Sequence, residues 1–258
     1  MIIDCFPFYN EFDLLDVRLN ELRDVVDVFV LSEATRTFRN KPKPLYFDQA
    51  KDRYKEFDIE HIIIDSYDGI DPDKHKTMMD LGQKHKALNI MMERVGPQKD
   101  DMLIISDCDE IPRAEVVRQV AQDSTWEAIM PMMPLYYYYF NHVCTSMKWR
   151  GGKWYRYNGR RLKHRRYKNA DRRVKNAGWH FSYFDDAEGI RQKIGSISHI
   201  EFDCPPYNTI EHIEGKLRDG GDLFDRGRYR FEITEDMSGL PQYVQDNMDR
   251  FDRYICRN

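Results

Sequence analysis

A chain of 258 residues with 41% hydrophobic and 13% aromatic residues has the material for a sizeable core, which makes it globular. Its five cysteines are odd in number, scattered and never in a C-x-x-C pair, which suggests neither a disulfide framework nor a zinc site and points to a reducing, cytoplasmic compartment. The formal charge of −4 hides an asymmetry, because Lys148 to Lys175 holds thirteen Lys or Arg against one acid, Asp171, so an anionic partner is expected for that segment.

In chain order, MIIDCF reads as a first strand. EFDLLDVRLNELR places Phe12, Leu15, Leu19 and Leu22 on one helical stripe, and VVDVFVLSE is a largely buried second strand. The two prolines and four cations of TRTFRNKPKP mark a loop. HIIID is a third strand, His75 to Arg94 a helix, and MLIIS a fourth strand, followed by a helix from Pro112 through Ala121. WEAIMPMM and LYYYYFN read as further strands. The basic segment reads as loop or short hairpin, AGWHFSYF as a strand, DDAEGIRQKIGSIS and Asn208 to Arg218 as helices, GGDLFDRGRYRFEI as turns and strand, and the remainder as a helical tail. The rhythm predicts a mixed α/β sheet flanked by helices with an irregular C-terminal third, in one domain over 1–258. The longest uncharged run, AIMPMMPLYYYYFN, is too short and proline-broken to span a bilayer, so no transmembrane segment is expected.

The stretch LIISDCDEIP, residues 103 to 112, drives a buried strand into three acids. In open α/β sheets ligands collect at the carboxyl ends of strands. Asp107 and Asp109, at i and i+2, converge on one point if the backbone turns, and Mg²⁺ or Mn²⁺ is often held by one or two carboxylates plus substrate phosphates. The bland alternative is that the acids cap the helix starting near Pro112, and Glu110 fits a structural role best. Two chemistries use the motif: sugar transfer from a nucleotide diphosphate, and a haloacid-dehalogenase-like metal-dependent phosphatase. GGDLFD resembles the late acidic motif of the second, but that nucleophile follows a first strand and Asp107 follows about the fourth.

EFDLLDVRLNEL with VDVFVLSEA, KPLYF, LIISDCDEIP, AGWHFSYF with Glu188-Gly189, and LRDGGDLFD, in this order over residues 11 to about 226, resemble glycosyltransferase family 17. The resemblance implies a GT-A-like (Rossmann-like) fold, a nucleotide-sugar donor such as UDP-GlcNAc, inversion at the anomeric carbon, and Asp107 and Asp109 as the donor and metal motif. Residues 1–125 would then be the nucleotide-sugar half and 126–258 the acceptor and catalytic half. Residues 141–175 do not match the animal enzymes.

Inverting transfer needs a base for the acceptor hydroxyl, and Glu188 is the expected one, although Asp185 to Glu188 also has the D-x-x-E spacing of a capping box. Asp222 and Asp225 are weaker competitors. His180 is a candidate third metal ligand or phosphate donor, against a buried strand histidine. Trp179 reads as core. Glu33, at the end of the second strand, is a candidate for the nucleoside, and Gln83 and Lys84 for the diphosphate, against solvated positions. The basic segment would bind an anionic glycan acceptor or close over the donor. Nucleic acid is the less favoured partner despite the interleaved aromatics. A non-catalytic carbohydrate- or nucleic-acid-binding protein is the remaining alternative.

Overall fold

The computed structural model describes residues 1–65, 76–159, 170–197 and 199–257. The chain opens with β1 (Ile2–Phe8), α1 (Phe12–Leu22), β2 (Val28–Ala34), a short α2 (Tyr46–Ala50) and β3 (Ile59–Ile64). Then come α3 (Lys76–Arg94), β4 (Met102–Ile105), β5 (Glu110–Pro112), α4 (Ala114–Gln122) and β6 (Ala128–Met133). The second half holds β7 (Leu135–Tyr137), β8 (His142–Cys144), β9 (Trp149–Arg150), β10 (Lys153–Arg156), β11 (Arg172–Lys175), β12 (Gly178–Ser182), α5 (Ala187–Ile194), α6 (Ile210–Asp219), β13 (Phe231–Ile233) and α7 (Gln242–Asp246).

The large sheet runs β3-β2-β1-β4-β10-β6-β11, with β9 pairing β6. Strands β3, β2, β1 and β4 are parallel, and β10 is antiparallel to both its neighbours. From β1 the chain moves outward to β2 and β3 and later returns to lay β4 on the other side. That reversal is the topological switch at which ligand crevices form in such sheets. Side chains alternate across the sheet with the strand period of two. Phe6, Phe8, Leu31 and Ile104 face α1 and α4, where Leu15, Leu19, Leu22, Val117 and Val120 meet them. Ile3, Cys5, Val30, Leu103 and Ile105 face Ala87, Leu88 and Met91 of α3.

The expected α/β sheet flanked by helices is therefore present, and the predicted strands and long helices fall where the periodicity puts them. His75, residues 160–169 of the basic segment and Ser198 lie outside the described residues. Three local differences matter. Pro112 ends β5 rather than opening a helix, and α4 starts two residues later. The basic segment is no loop at 153–156: β10 lies between β4 and β6, with Trp154 fully buried. The C-terminal third is organised around a second sheet, β13-β8-β7-β12-β5. One face of it packs Ile111, Trp179 and Phe181 against Leu14 and Val17 of α1 and Val244 of α7. The other packs Leu135 and Tyr137 against Ile190 and Ile194 of α5 and Ile213 of α6.

Two glycines have backbone reasons. Gly220 ends α6 at φ +67°, a left-handed cap, with the His142 ring 2.9 Å from where its Cβ would lie. Gly152 lets β10 cross the end of β4, since a Cβ there would sit 2.0 Å from the Ile105 carbonyl oxygen and 2.5 Å from Ser106 Cα. That obstacle is backbone on both sides, so Gly152→Ala is expected to lower stability by more than the ~1 kcal/mol typical of a substitution, read by urea unfolding.

Candidate active site at the junction of the two sheets

Residues 106–109 connect β4 of the large sheet to β5 of the small one, so the acidic stretch is the hinge line between them. It turns because Arg18 of α1 gathers it. This fully buried guanidinium makes two hydrogen bonds to Asp4, at 2.7 and 2.6 Å, and donates to the Ser106 hydroxyl at 2.8 Å. It also donates to the carbonyls of Asp107 at 2.9 Å, Cys108 at 3.3 Å and Glu110 at 3.0 Å. Only a planar, always-charged fork supplies that many donors in one place.

With the turn held, the acids take separate partners. Asp107, its side chain 47% exposed, meets Lys84 of α3 at 2.6 Å, and Lys84 also reaches Asp80 at 3.1 Å. Asp109, only 12% exposed, meets Lys193 of α5 at 2.9 Å, and Lys193 lies 3.8 Å from Glu11. Burial works to raise the Asp109 carboxyl, but Lys193 and then His180 outweigh it and hold it below the usual range. Burial likewise opposes charge on both lysines, yet the facing aspartates keep them above the usual range.

Glu110 is buried and structural, as its position suggested. Its carboxylate accepts from Trp149 Nε1 at 2.6 Å, Gly152 N–H at 2.8 Å and Asp107 N–H at 3.1 Å. Burial and the Asp107 charge push it up to about 8. None of the three acids caps α4: its N-cap is Arg113, and Glu21 of α1 takes the Ala114 N–H at 3.0 Å.

His180 comes to this place because β12 pairs antiparallel with β5, putting it opposite Glu110, while Phe181 N–H donates to the Asp109 carbonyl. Its Nε2 is 3.7 Å from Asp109 Oδ1, Trp149 leans on its ring at 4.4 Å, and its buried Nδ1 has no hydrogen-bond partner. Burial lowers its pKa, which favours the neutral imidazole. Among the described residues no three His, Cys, Asp or Glu side chains are grouped to hold a metal, so His180 does not complete a protein-only site with Asp107 and Asp109. The two aspartates still fit the partial set a hard cation takes alongside phosphate oxygens, since each lysine engages one carboxylate oxygen of its partner.

The remaining candidates disperse. Glu33 is fully buried rather than a solvated loop acid, accepting from Phe47 N–H at 3.1 Å with Lys43 at 3.5 Å and His61 at 3.3 Å. Its contacts anchor α2. Gln83 is buried, and its Nε2 donates to the Arg36 carbonyl at 3.3 Å. Glu188 is exposed and held by Arg191 at 2.6 and 2.9 Å, with Gln192 at 3.4 Å. The capping register is also one residue later than expected: Asp186 caps α5 by accepting from Gly189 N–H at 2.9 Å. Asp222 is bound to Arg226, and Asp225 to Lys216, so GGDLFD does not deliver a phosphatase-like acid to Asp107. Trp179 is core, its indole N–H on the Gly239 carbonyl and Arg113 over its ring. Part of the basic segment is likewise structural, with Arg156 donating to the Ala121 and Asp123 carbonyls at the end of α4. Arg18, Trp149 and Lys193 were not singled out from the sequence, because their roles arise from long-range contacts.

A sequence profile described as Glycosyltransferase family 17 matches residues 1–256. The chain belongs to glycosyltransferase family 17. Among curated proteins, the human beta-1,4-mannosyl-glycoprotein 4-beta-N-acetylglucosaminyltransferase is 27% identical over 302 residues, covering all of this chain and 55% of that enzyme. The rat enzyme of the same name is also 27% identical, with 54% of its length covered. The family 17 chain thus spans about half the length of these relatives. Among solved structures, 4-diphosphocytidyl-2C-methyl-D-erythritol synthase aligns with 11% identity and a TM-score of 0.37, covering 52% of this chain and 59% of that one. No helix among the described residues of this family 17 chain is long and apolar enough to cross a membrane.

Two outcomes are expected from this geometry. Arg18→Leu leaves Asp4 buried and unpaired and should cost about 3–5 kcal/mol in urea unfolding, part of which Asp4→Leu in the same chain should recover. The second concerns pH. Glu110 binds its proton more tightly folded than unfolded, so stability should fall as pH rises from about 4.5 to about 8, and melting curves of Glu110→Gln should flatten across that window.

Proposed function

We propose that this chain transfers a sugar, N-acetylglucosamine, from a UDP-linked donor to a hydroxyl of a glycan acceptor, with inversion. Residues 1–125 would hold the nucleotide sugar and 126–258 the acceptor, within one domain, and the free cysteines favour a reducing, cytoplasmic setting. The observation that carries the reading is the acidic turn at the switch point, which presents Asp107 and Asp109 with one lysine each.

In this reading Asp107 and Asp109 hold Mn²⁺ or Mg²⁺ against the donor diphosphate. When bound, the cation supplies Lewis-acid stabilisation of the departing diphosphate. Lys84 and Lys193 are placed beside the same two acids, so each can shift a hydrogen bond from carboxylate to phosphate oxygen as the donor arrives. His180, neutral in its buried setting, contributes a hydrogen-bonding edge next to Asp109 and no charge. Arg18 keeps the turn from relaxing while partners exchange, so the acids need no reorganisation as charge develops on the leaving group.

The phosphatase alternative loses its supporting acids, because Asp222 is bound to Arg226 and Asp107 follows the fourth strand. A binding-only protein remains separable by turnover. UDP-GlcNAc with Mn²⁺ should raise the melting temperature of the chain and release UDP slowly. Asp109→Asn should abolish the Mn²⁺-dependent part of the shift and lower UDP release at least about 100-fold. A response to phosphoesters alone, with none to any nucleotide sugar, would reverse the assignment.

A further inference from the structure

Two cavities flank the acidic turn. The first, about 60 Å³, lies at the ends of β1, β2 and β4 and includes Lys84 and Asp107 in its wall. The second, about 200 Å³, lies between the start of α1, the start of α5 and the C-terminal segment. Lys193 joins the second to the turn: it lines the cleft while its ammonium rests 2.9 Å from Asp109. A donor seated on the Asp107 side therefore leaves a separate cleft on the Lys193 side of the turn.

We propose that the second cleft receives the acceptor and that Asp185, at its rim, takes the proton of the attacking hydroxyl. The proposal rests on the glycosyl-transfer reading above. The acceptor oxygen forms its bond to the anomeric carbon as the bond from that carbon to the donor phosphate oxygen breaks. The hydroxyl proton passes to the Asp185 carboxylate, and the electron pair leaves with the nucleoside diphosphate.

Three observations separate Asp185 from Glu188. Asp185 lines the cleft and, among the described residues, forms no ion pair, its Oδ1 accepting only the neighbouring Asp186 N–H at 2.9 Å. Glu188 is held by Arg191 and does not line it. Gly189 makes room for the carboxylate, because a Cβ there would lie 2.1 Å from Asp185 Oδ2, and its backbone is ordinary helix.

The walls also indicate what kind of acceptor fits. Phe12, Phe184 and Tyr254 are among the lining, and aromatic walls suit the apolar C–H face of a pyranose. The cations of the cleft are already engaged, Lys193 by Asp109 and Glu11 and Arg253 by Asp13. With Asp185 added, the lining carries three acids against two cations, which selects a neutral sugar rather than the anionic acceptor expected from composition.

Partial burial and the Asp186 charge raise the exposed Asp185 carboxyl above its ordinary value, opposed by its hydrogen bond from Asp186 N–H and by Arg253 and Lys193. Glu11 just before α1, Asp13 of α1, Lys193 of α5, and Arg253 and Tyr254 of the C-terminal segment line the cleft with it. An acid-side limb in the pH–rate profile is the corresponding signature.

The test uses the full chain with UDP-GlcNAc, Mn²⁺ and methyl β-D-mannopyranoside as a neutral acceptor probe, reading UDP release and calorimetric donor affinity. Asp185→Asn should lower kcat at least about 100-fold and erase the acid-side limb, with donor affinity within about twofold. Gly189→Ala, whose methyl meets that carboxylate, should lower kcat with donor affinity kept, and Glu188→Gln should change neither by more than about threefold. Wild-type rates in Asp185→Asn, or an equal loss in Glu188→Gln, overturn the assignment to Asp185. A wild-type chain that binds no nucleotide sugar overturns the transfer reading itself and this proposal with it.

Discussion

The site depends on one buried side chain. Arg18 joins α1 to Asp4 in β1 and, through three carbonyls and a hydroxyl, to the turn that carries the acids. Without it, three backbone acceptors and a carboxylate would be stranded in the interior, where an unpaired polar group is costly and an unpaired charge more so. The same contacts determine where β4 stops and β5 begins, and therefore where the small sheet attaches to the large one.

A second constraint is electrostatic. Asp107, Asp109 and Glu110 lie within four residues, and like charges at that spacing repel strongly away from bulk water. The fold resolves this in three ways: a lysine from α3 for the first, a lysine from α5 for the second, and a ring of donors with a raised pKa for the third. The two lysines come from opposite ends of the chain's topology, so the electrostatic balance of the turn is assembled only when both helices are docked. Each lysine also marks the boundary of one cavity, which gives the turn two chemically distinct sides.

Much of this was legible in the amino-acid order wherever local periodicity dominates. The stripe Phe12, Leu15, Leu19 and Leu22, the apolar run before Asp107 and the helical spacing after Asp186 all correspond to observed elements. Strand β5 was not, because Glu110-Ile111-Pro112 carries no pattern of its own and exists only by pairing with β12. Nor was β10, since two of its four residues are cations amid a basic stretch and its placement between β4 and β6 is a tertiary choice. The acidic pair was visible as a motif, and Lys84 by its place on a helix leading to it. Lys193, Arg18 and Trp149 reach the turn across 84, 89 and 39 residues of chain, separations that no spacing rule spans. Glu188 was favoured as the base because it lies in a family-like stretch, and its pairing with Arg191 on the exposed side of α5 was not readable from that resemblance.

The insertion of β10 between β4 and β6 has a consequence for how the protein comes into being. As the chain is synthesised, residues up to about 125 can lay down β3, β2, β1 and β4, but the outer rim of β4 stays bare and Glu110 lacks both Trp149 and the Gly152 amide. A bare strand edge beside an unsatisfied buried acid is the kind of surface that recruits other chains. Residues 1–125 are thus no independent folding unit, and their completion waits for a strand about thirty residues further on, a long-range closure of the sort that slows folding.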